Sequence, residues 1–383
     1  MTETTQPEDT PPETVLVDDH MAPAPASAEP PPTPSPFAGL RTIPGSVLAS
    51  SFDLLTRASA DVRRGSFYIG LIVLGTLGPF AILSWGIEVV SEGRTVREIT
   101  QVLSGAPTLW LQASIWLALA GLVVAFVESR GVATALLGAR LEGRPFELRD
   151  AVRRSRAVFW QVLVGIAIIN IPVVAAQELL STWLSGVFHG ASEVTTLTPA
   201  IVLAILASPF AYVLSGIVLG NVGPVESAKR STRLFSARRR SAIVVSLFAL
   251  AAQYLTLFGA SAALNLITRV FESLRLGPGS GDVGIAGITV VIVAGVFAVG
   301  SLLFTVAAIA AAPQVVMFLA LTHATPGLAV ATTEAMAEAV TQAPAAWGTT
   351  PPVRKFRWLT LPMRVGMALG LLVAVAGLAS LNR

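Results

Sequence analysis

From Phe67 onward the chain alternates between long uncharged apolar runs and short basic segments. A helix needs about 20 apolar residues to cross the hydrocarbon core of a bilayer. On that scale, spans are predicted at about Phe67–Val90, Thr108–Phe126, Ala157–Leu180, Leu197–Gly220 and Ser241–Ile267. The second has a pattern that allows helix to continue to Ala139. A sixth starts near Gly284 and stays uncharged past Thr322, longer than one crossing, so it is expected to tilt, to break at Pro313 or to emerge into the cytoplasm. A seventh is predicted at Leu361–Leu381, with Arg364 near its start, where an arginine can snorkel to the interface. Ahead of the first span, residues 46–64 place Val47, Leu48, Phe52, Leu55 and Val62 at roughly helical spacing, with Arg57, Arg63 and Arg64 elsewhere. That is the pattern of an interfacial helix.

The basic segments are not independent of one another. Asp150–Phe159 reads DAVRRSRAVF and Glu226–Phe235 reads ESAKRSTRLF, 76 residues apart. Without gaps, acid aligns with acid, Arg153-Arg154-Ser155 with Lys229-Arg230-Ser231, and Phe159 with Phe235. A weaker third copy is Val62-Arg63-Arg64 against Val152-Arg153-Arg154. Two spans lie between the main copies, so both face the same side and the repeat is parallel. As helices these segments are self-consistent: the acid lies three and four residues before the bases, where side chains meet, and acids early with bases late suit the helix dipole.

The expected fold is therefore all-α: a polytopic transmembrane helical bundle of six spans as three repeated hairpins, plus a seventh C-terminal span. Four regions follow: a tail (1–44), the six-span membrane domain (45–325), a linker rich in Ala, Thr and Pro (326–356) and the last span (357–383). Residues 1–40 hold ten prolines, seven acids and no Lys or Arg, a composition that cannot bury enough apolar surface to offset its ordering entropy.

Charge orients the bundle. Of 26 basic residues, 21 fall in the segments before span one, between spans two and three, between spans four and five, and before span seven. The excess of Lys and Arg in cytoplasmic loops then puts the N-terminus in the cytoplasm of a cell (inner or plasma) membrane, and the C-terminus outside. Composition agrees: 53% of residues are hydrophobic, only 13% are charged, and mean hydropathy is +0.71. A soluble domain carries about 25% charge. The basic residues are 24 Arg and 2 Lys, which reads as the codon bias of a GC-rich, bacterial genome and not as nucleic-acid binding.

Hairpins led by acid-x-x-basic-Arg-Ser segments, with Gly223-Pro224 before the second, resemble the glycerophosphoryl diester phosphodiesterase membrane-domain family, which includes stand-alone bacterial membrane proteins. The resemblance covers roughly residues 45–325. Where that family usually places an Arg-containing stretch after the sixth span, Met317–Leu328 reads MFLALTHATPGL. The family's phosphodiesterase activity belongs to a separate soluble domain that nothing in this sequence resembles.

Candidate chemistry is sparse, and the expectation is of a protein that is not an enzyme and takes no cofactor. Cysteine is absent and His20, His189 and His323 are far apart, so thiolate chemistry is excluded and no metal site is suggested. No Walker loop, HExxH or GxSxG occurs. Glu128 and Arg130, near the inner end of span two, read as interfacial charges. Gln112, Asn170, Gln253, Asn265 and Gln314 lie inside spans, with Pro172, Pro209 and Pro313 able to free backbone carbonyls. They could line a small cavity, as in a transporter, or serve as interhelical hydrogen bonds. Gly216 and Gly220, and Gly366, Gly370 and Ala374, form small-residue faces for close packing or for a homo-oligomer or protein partner. The residues nominated for function are the bases of the two main motifs, Arg153, Arg154, Arg156, Lys229, Arg230 and Arg233, as contacts for the anionic headgroups of membrane lipids. Two function classes fit: a non-enzymatic scaffold, assembly or lipid-interacting protein, and a small-molecule or lipid transporter. Reporter fusions within residues 221–240 and at residue 190 are expected to report opposite compartments, and equal signals would refute the predicted topology.

Overall fold

Proline opens the first helix. Pro44 stands in the first turn of α1 (Pro44–Arg57), where a missing N–H leaves no bond unmade. Val47, Ser51 and Leu54 recur at helical spacing and are its buried face. The helix stops at Ala58, and after this single residue the chain enters the apolar α2 (Ser59–Ser91). The same arrangement recurs twice: α4 (Leu148–Ala157) ends at Val158 before α5 (Phe159–Val187), and α8 (Pro224–Ala237) ends at Arg238 before α9 (Arg239–Ser273). Helix α8 buries Ser227, Ser231 and Leu234, at the same spacing from its break as the buried residues of α1. Val62-Arg63-Arg64 lies beyond the break, inside α2. It does not occupy the place in a leading helix that Val152-Arg153-Arg154 holds in α4.

The computed structural model describes residues 43–91, 105–143, 147–187, 192–273, 281–324 and 357–381. The tail and the 326–356 linker lie outside these, apart from residues 43 and 44. The remaining helices are α3 (Ala106–Leu141), α6 (Ser192–Ala207), α7 (Val213–Val218), α10 (Gly281–Ala324) and α11 (Leu361–Leu381). Among the described residues the fold is all-α, and seven segments are long and apolar enough to cross a membrane. The protein is a multi-pass membrane protein.

Helices α2, α3 and α10 form the centre, with α11 packed against α2 and α3. Lipid tails are as apolar as the side chains, so helices associate in a membrane chiefly through close packing. Gly300 of α10 meets Gly70 of α2, and a Cβ on Gly300 would lie 2.8 Å from the Gly70 Cα. Gly370 of α11 fits against Leu117, Pro79 and the Gly75 carbonyl, and Gly216 of α7 against the Ser227 hydroxyl. Small residues of both predicted packing faces are therefore engaged within the chain. The outer helices α5 and α9 turn Trp160, Ile171, Leu179, Leu255 and Phe258 outward, a surface suited to lipid.

Two spans have unusual backbones; of the three outcomes expected for the sixth, a break at Pro313 does not occur. Helix α10 runs unbroken through Pro313 for 44 residues. At 1.5 Å per residue it is about 66 Å long, against a hydrocarbon core of about 30 Å. Pro313 is buried where α10 is enclosed by α1, α2 and α3, so packing holds the helix through the lost hydrogen bond. The fourth span, by contrast, is not one helix. It breaks after Ala207 into a 3-10 turn, Ser208–Phe210, and resumes as α7. Backbone groups freed within a bilayer must find partners in the protein. Ser231 of α8 provides them: its hydroxyl donates to the Pro209 carbonyl at 2.7 Å and accepts the Tyr212 N–H at 3.1 Å. Ser227 donates to the Val213 carbonyl at 2.7 Å. A buried group left without its partner costs about 1–3 kcal/mol. Ser231→Ala is expected to destabilise the detergent-solubilised protein by that amount, read as a lower melting temperature. Ser236→Ala, on the exposed side of the same helix, is expected to leave it unchanged.

Candidate functional site

The end of the bundle where α3 finishes and α2, α5 and α9 begin gathers most of the described basic residues. They are held there by the elements that lead into the spans. In α4, Glu147 and Asp150 stand at the N-terminus, and the Glu147 N–H donates to Asp150 at 3.3 Å. Ala151, Val152 and Ser155 are buried against the bundle. Gly131 of α3 gives Ser155 its space. This seating directs Arg154 and Arg156 inward along different lines.

Arg154 reaches the end of α7. Its Nε donates to the Val218 carbonyl at 2.9 Å and its Nη2 to Asn221 Oδ1 at 3.0 Å. Asn221 has φ +51°, the left-handed conformation that ends helices, and Arg154 covers the carbonyl that ending exposes. Burial lowers the Arg154 pKa from its ordinary value, though an arginine remains protonated.

Arg156 enters a buried node. Its Nε lies 3.3 Å from Glu128 Oε1, and its Nη2 donates to the Tyr68 hydroxyl at 2.7 Å. That hydroxyl donates to Glu128 Oε2 at 2.6 Å. The guanidinium also donates to the Arg357 carbonyl at 2.9 Å and to the Trp358 carbonyl. The Glu128 side chain is 2% exposed and that of Arg156 19%. The node thus ties α2, α3 and α4 to the chain that leads into α11. Beside it, Arg140 of α3 donates through Nε to Asp61 of α2 at 2.9 Å.

Tyr68 also lines an open groove of about 950 Å³. Arg63, Arg64 and Arg149 stand along it, and Phe67, Leu71 and Trp358 form its apolar part. Arg64 is 3.9 Å from Asp61, and Arg149 is 3.0 Å from Glu147, so these arginines are anchored but largely exposed. On the other side of the node, Glu128 and Arg156 line a cavity of about 560 Å³ between α3, α5 and α11.

The six nominated bases therefore have unequal surroundings. Arg154 and Arg156 are occupied by the fold itself. Arg230 pairs with Glu226 at 3.1 Å, as the helical spacing predicts. Arg153 is half-buried, and Lys229 and Arg233 are exposed. Glu128, read from sequence as interfacial, is instead a buried member of the node. Of the polar span residues, Asn170 and Gln253 meet in one cavity, while Gln112 and Asn265 are exposed. Among the described residues no group of three metal-capable side chains is gathered. Compared with known proteins, the chain matches no family model, no curated protein and no solved structure.

Removing one partner of a buried ion pair leaves the other charge uncompensated, at about 3–5 kcal/mol. Glu128→Ala is expected to destabilise the protein by that amount and to expose the 357–360 segment to proteolysis. Pairing Glu128→Leu with Arg156→Met should recover part of the loss. Equal melting temperatures for Glu128→Ala and the parent would refute the role given to the node.

Proposed function

We propose that this is a non-enzymatic, lipid-interacting membrane protein that holds anionic headgroups at its basic end, with that end in the cytoplasm. The observation that carries the reading is the groove. It sets three guanidinium groups, from Arg63, Arg64 and Arg149, beside an apolar surface of Phe67, Leu71 and Trp358. A phosphate accepts paired N–H bonds from arginine, while acyl chains suit the aromatic side. The exposed Lys229 and Arg233 of α8 add a second basic face. Near an anionic surface each such charge contributes about 1 kcal/mol. A buried node just behind the groove keeps its Tyr68 wall in place. A second reading, a small-molecule or lipid transporter, is favoured by the cavity that contains Asn170 and Gln253.

Changing Arg63, Arg64 and Arg149 together to Gln is expected to weaken anionic-lipid retention on the order of a hundredfold, from three contributions of about 1 kcal/mol. Lipid mass spectrometry of the purified protein, with a topology reporter on the same variant, is the test. Unchanged anionic lipid in a correctly inserted variant would overturn the proposal. Misinsertion of the variant with unchanged lipid on the molecules that do insert would show that these charges only set orientation.

A further inference from the structure

A cavity of about 540 Å³ lies among α3, α5, α9 and α10, away from the groove and the basic helix α8. Its two ends differ. Helices α3 and α10 run toward the basic end of the bundle, and α5 and α9 run away from it. Arg130 and Ser129 are therefore the cavity's α3 residues closest to the basic end, while Asn170 and Gln253 enter deeper, 11 and 14 residues from the starts of α5 and α9. Leu122, Val174, Leu257, Ala260 and Val299 line the other end. Along α10 the lining extends from Val299 to Ala310, twelve residues, or about 16 Å from first to last at the helical rise.

The polar end has bonding capacity to spare. Arg130 stands on α3, four residues beyond the predicted end of the second span, with its guanidinium 4.6 Å from the Phe126 ring centroid. That contact covers one face of the guanidinium plane and leaves the in-plane N–H groups. Among the described residues no carboxylate pairs with Arg130 and no acceptor bonds its guanidinium, and the Asn170 and Gln253 amides likewise make no hydrogen bond. The nearby hydroxyls are already used: Ser129 donates to the Phe126 carbonyl at 2.9 Å and Thr256 to the Ala252 carbonyl at 2.8 Å. An arginine at a span end with its N–H groups facing a cavity is placed to take an anionic group.

We infer that this cavity binds a single-chain anionic amphiphile, its phosphate or carboxylate on Arg130 and its alkyl chain along the apolar wall. The charge of Arg130 selects the anion, and the apolar far end selects a chain. A volume of about 540 Å³ is within the range of sites for one drug-sized ligand. The inference stands apart from the groove, because it shares none of its residues.

The test uses the full chain in maltoside detergent and dodecyl phosphate as the probe, with dodecanol and inorganic phosphate as comparisons. Dodecyl phosphate is expected to bind at least about tenfold more tightly than dodecanol, and inorganic phosphate to compete weakly. A photoreactive group at the chain end should label the α5, α9 or α10 wall. Arg130→Gln should weaken dodecyl phosphate binding about tenfold or more, Arg130→Lys should retain part of it, and Ala260→Trp should weaken it by filling the apolar end. The Arg63, Arg64 and Arg149 triple variant should bind the probe like the parent. Equal affinity for dodecyl phosphate and dodecanol, or labelling confined to other helices, would overturn the inference even if the Arg130 variants fail to fold. Inorganic phosphate competing as well as dodecyl phosphate would also overturn it, in favour of a soluble anion.

Discussion

Every polar backbone group of a span must be satisfied within the protein, because the bilayer core offers no water. Much of the basic end of this molecule answers that constraint. The fourth span breaks at Pro209, and the carbonyl and N–H released there are taken by Ser231, from a helix that follows the span. The end of α7 leaves the Val218 carbonyl, which Arg154 covers from α4. The approach to α11 leaves the Arg357 and Trp358 carbonyls, which Arg156 binds. Residues that look like surface charges and hydroxyls in the leading helices thus close the backbone of neighbouring elements.

Close packing supplies the rest of the cohesion. The Gly70–Gly300 approach brings α2 and α10 together, and Gly370 seats α11 against α2 and α3. With the centre built this way, Glu128 can be withdrawn from water, because Tyr68 and Arg156 both reach it. A buried ion pair adds little net stability compared with apolar packing, but it penalises any arrangement that separates the partners. Here it fixes how the last helix joins the bundle.

The consequence for function is a division of labour among arginines. Those that face inward, Arg154 and Arg156, are structural. Those that line the groove, Arg63, Arg64 and Arg149, remain largely exposed at the rim of the bundle. Arg130 is different again, a cation at the inner end of a span that lines a cavity. The lipid-interacting reading rests on the second group and the amphiphile site on the third.

Hydropathy alone located all seven spans, because the length and apolarity required to cross a bilayer are local properties of the chain. The leading helices were legible in part: helical spacing found the helix at 46–57, but not its break at Ala58, which puts Val62 in α2, nor the exposure of Phe52. The Glu226–Arg230 pair followed from the same local geometry. What the sequence could not disclose depends on residues far apart in the chain. Apolarity is continuous across Pro209, so the break showed only once α8 was in place to satisfy it. Glu128 sits near a span end, where charges usually meet water, and its burial depends on a tyrosine 60 residues away and an arginine 28 residues away. The two copies of the motif read alike, yet Arg154 and Arg230 have different partners, because what a side chain bonds is decided by the helices packed around it.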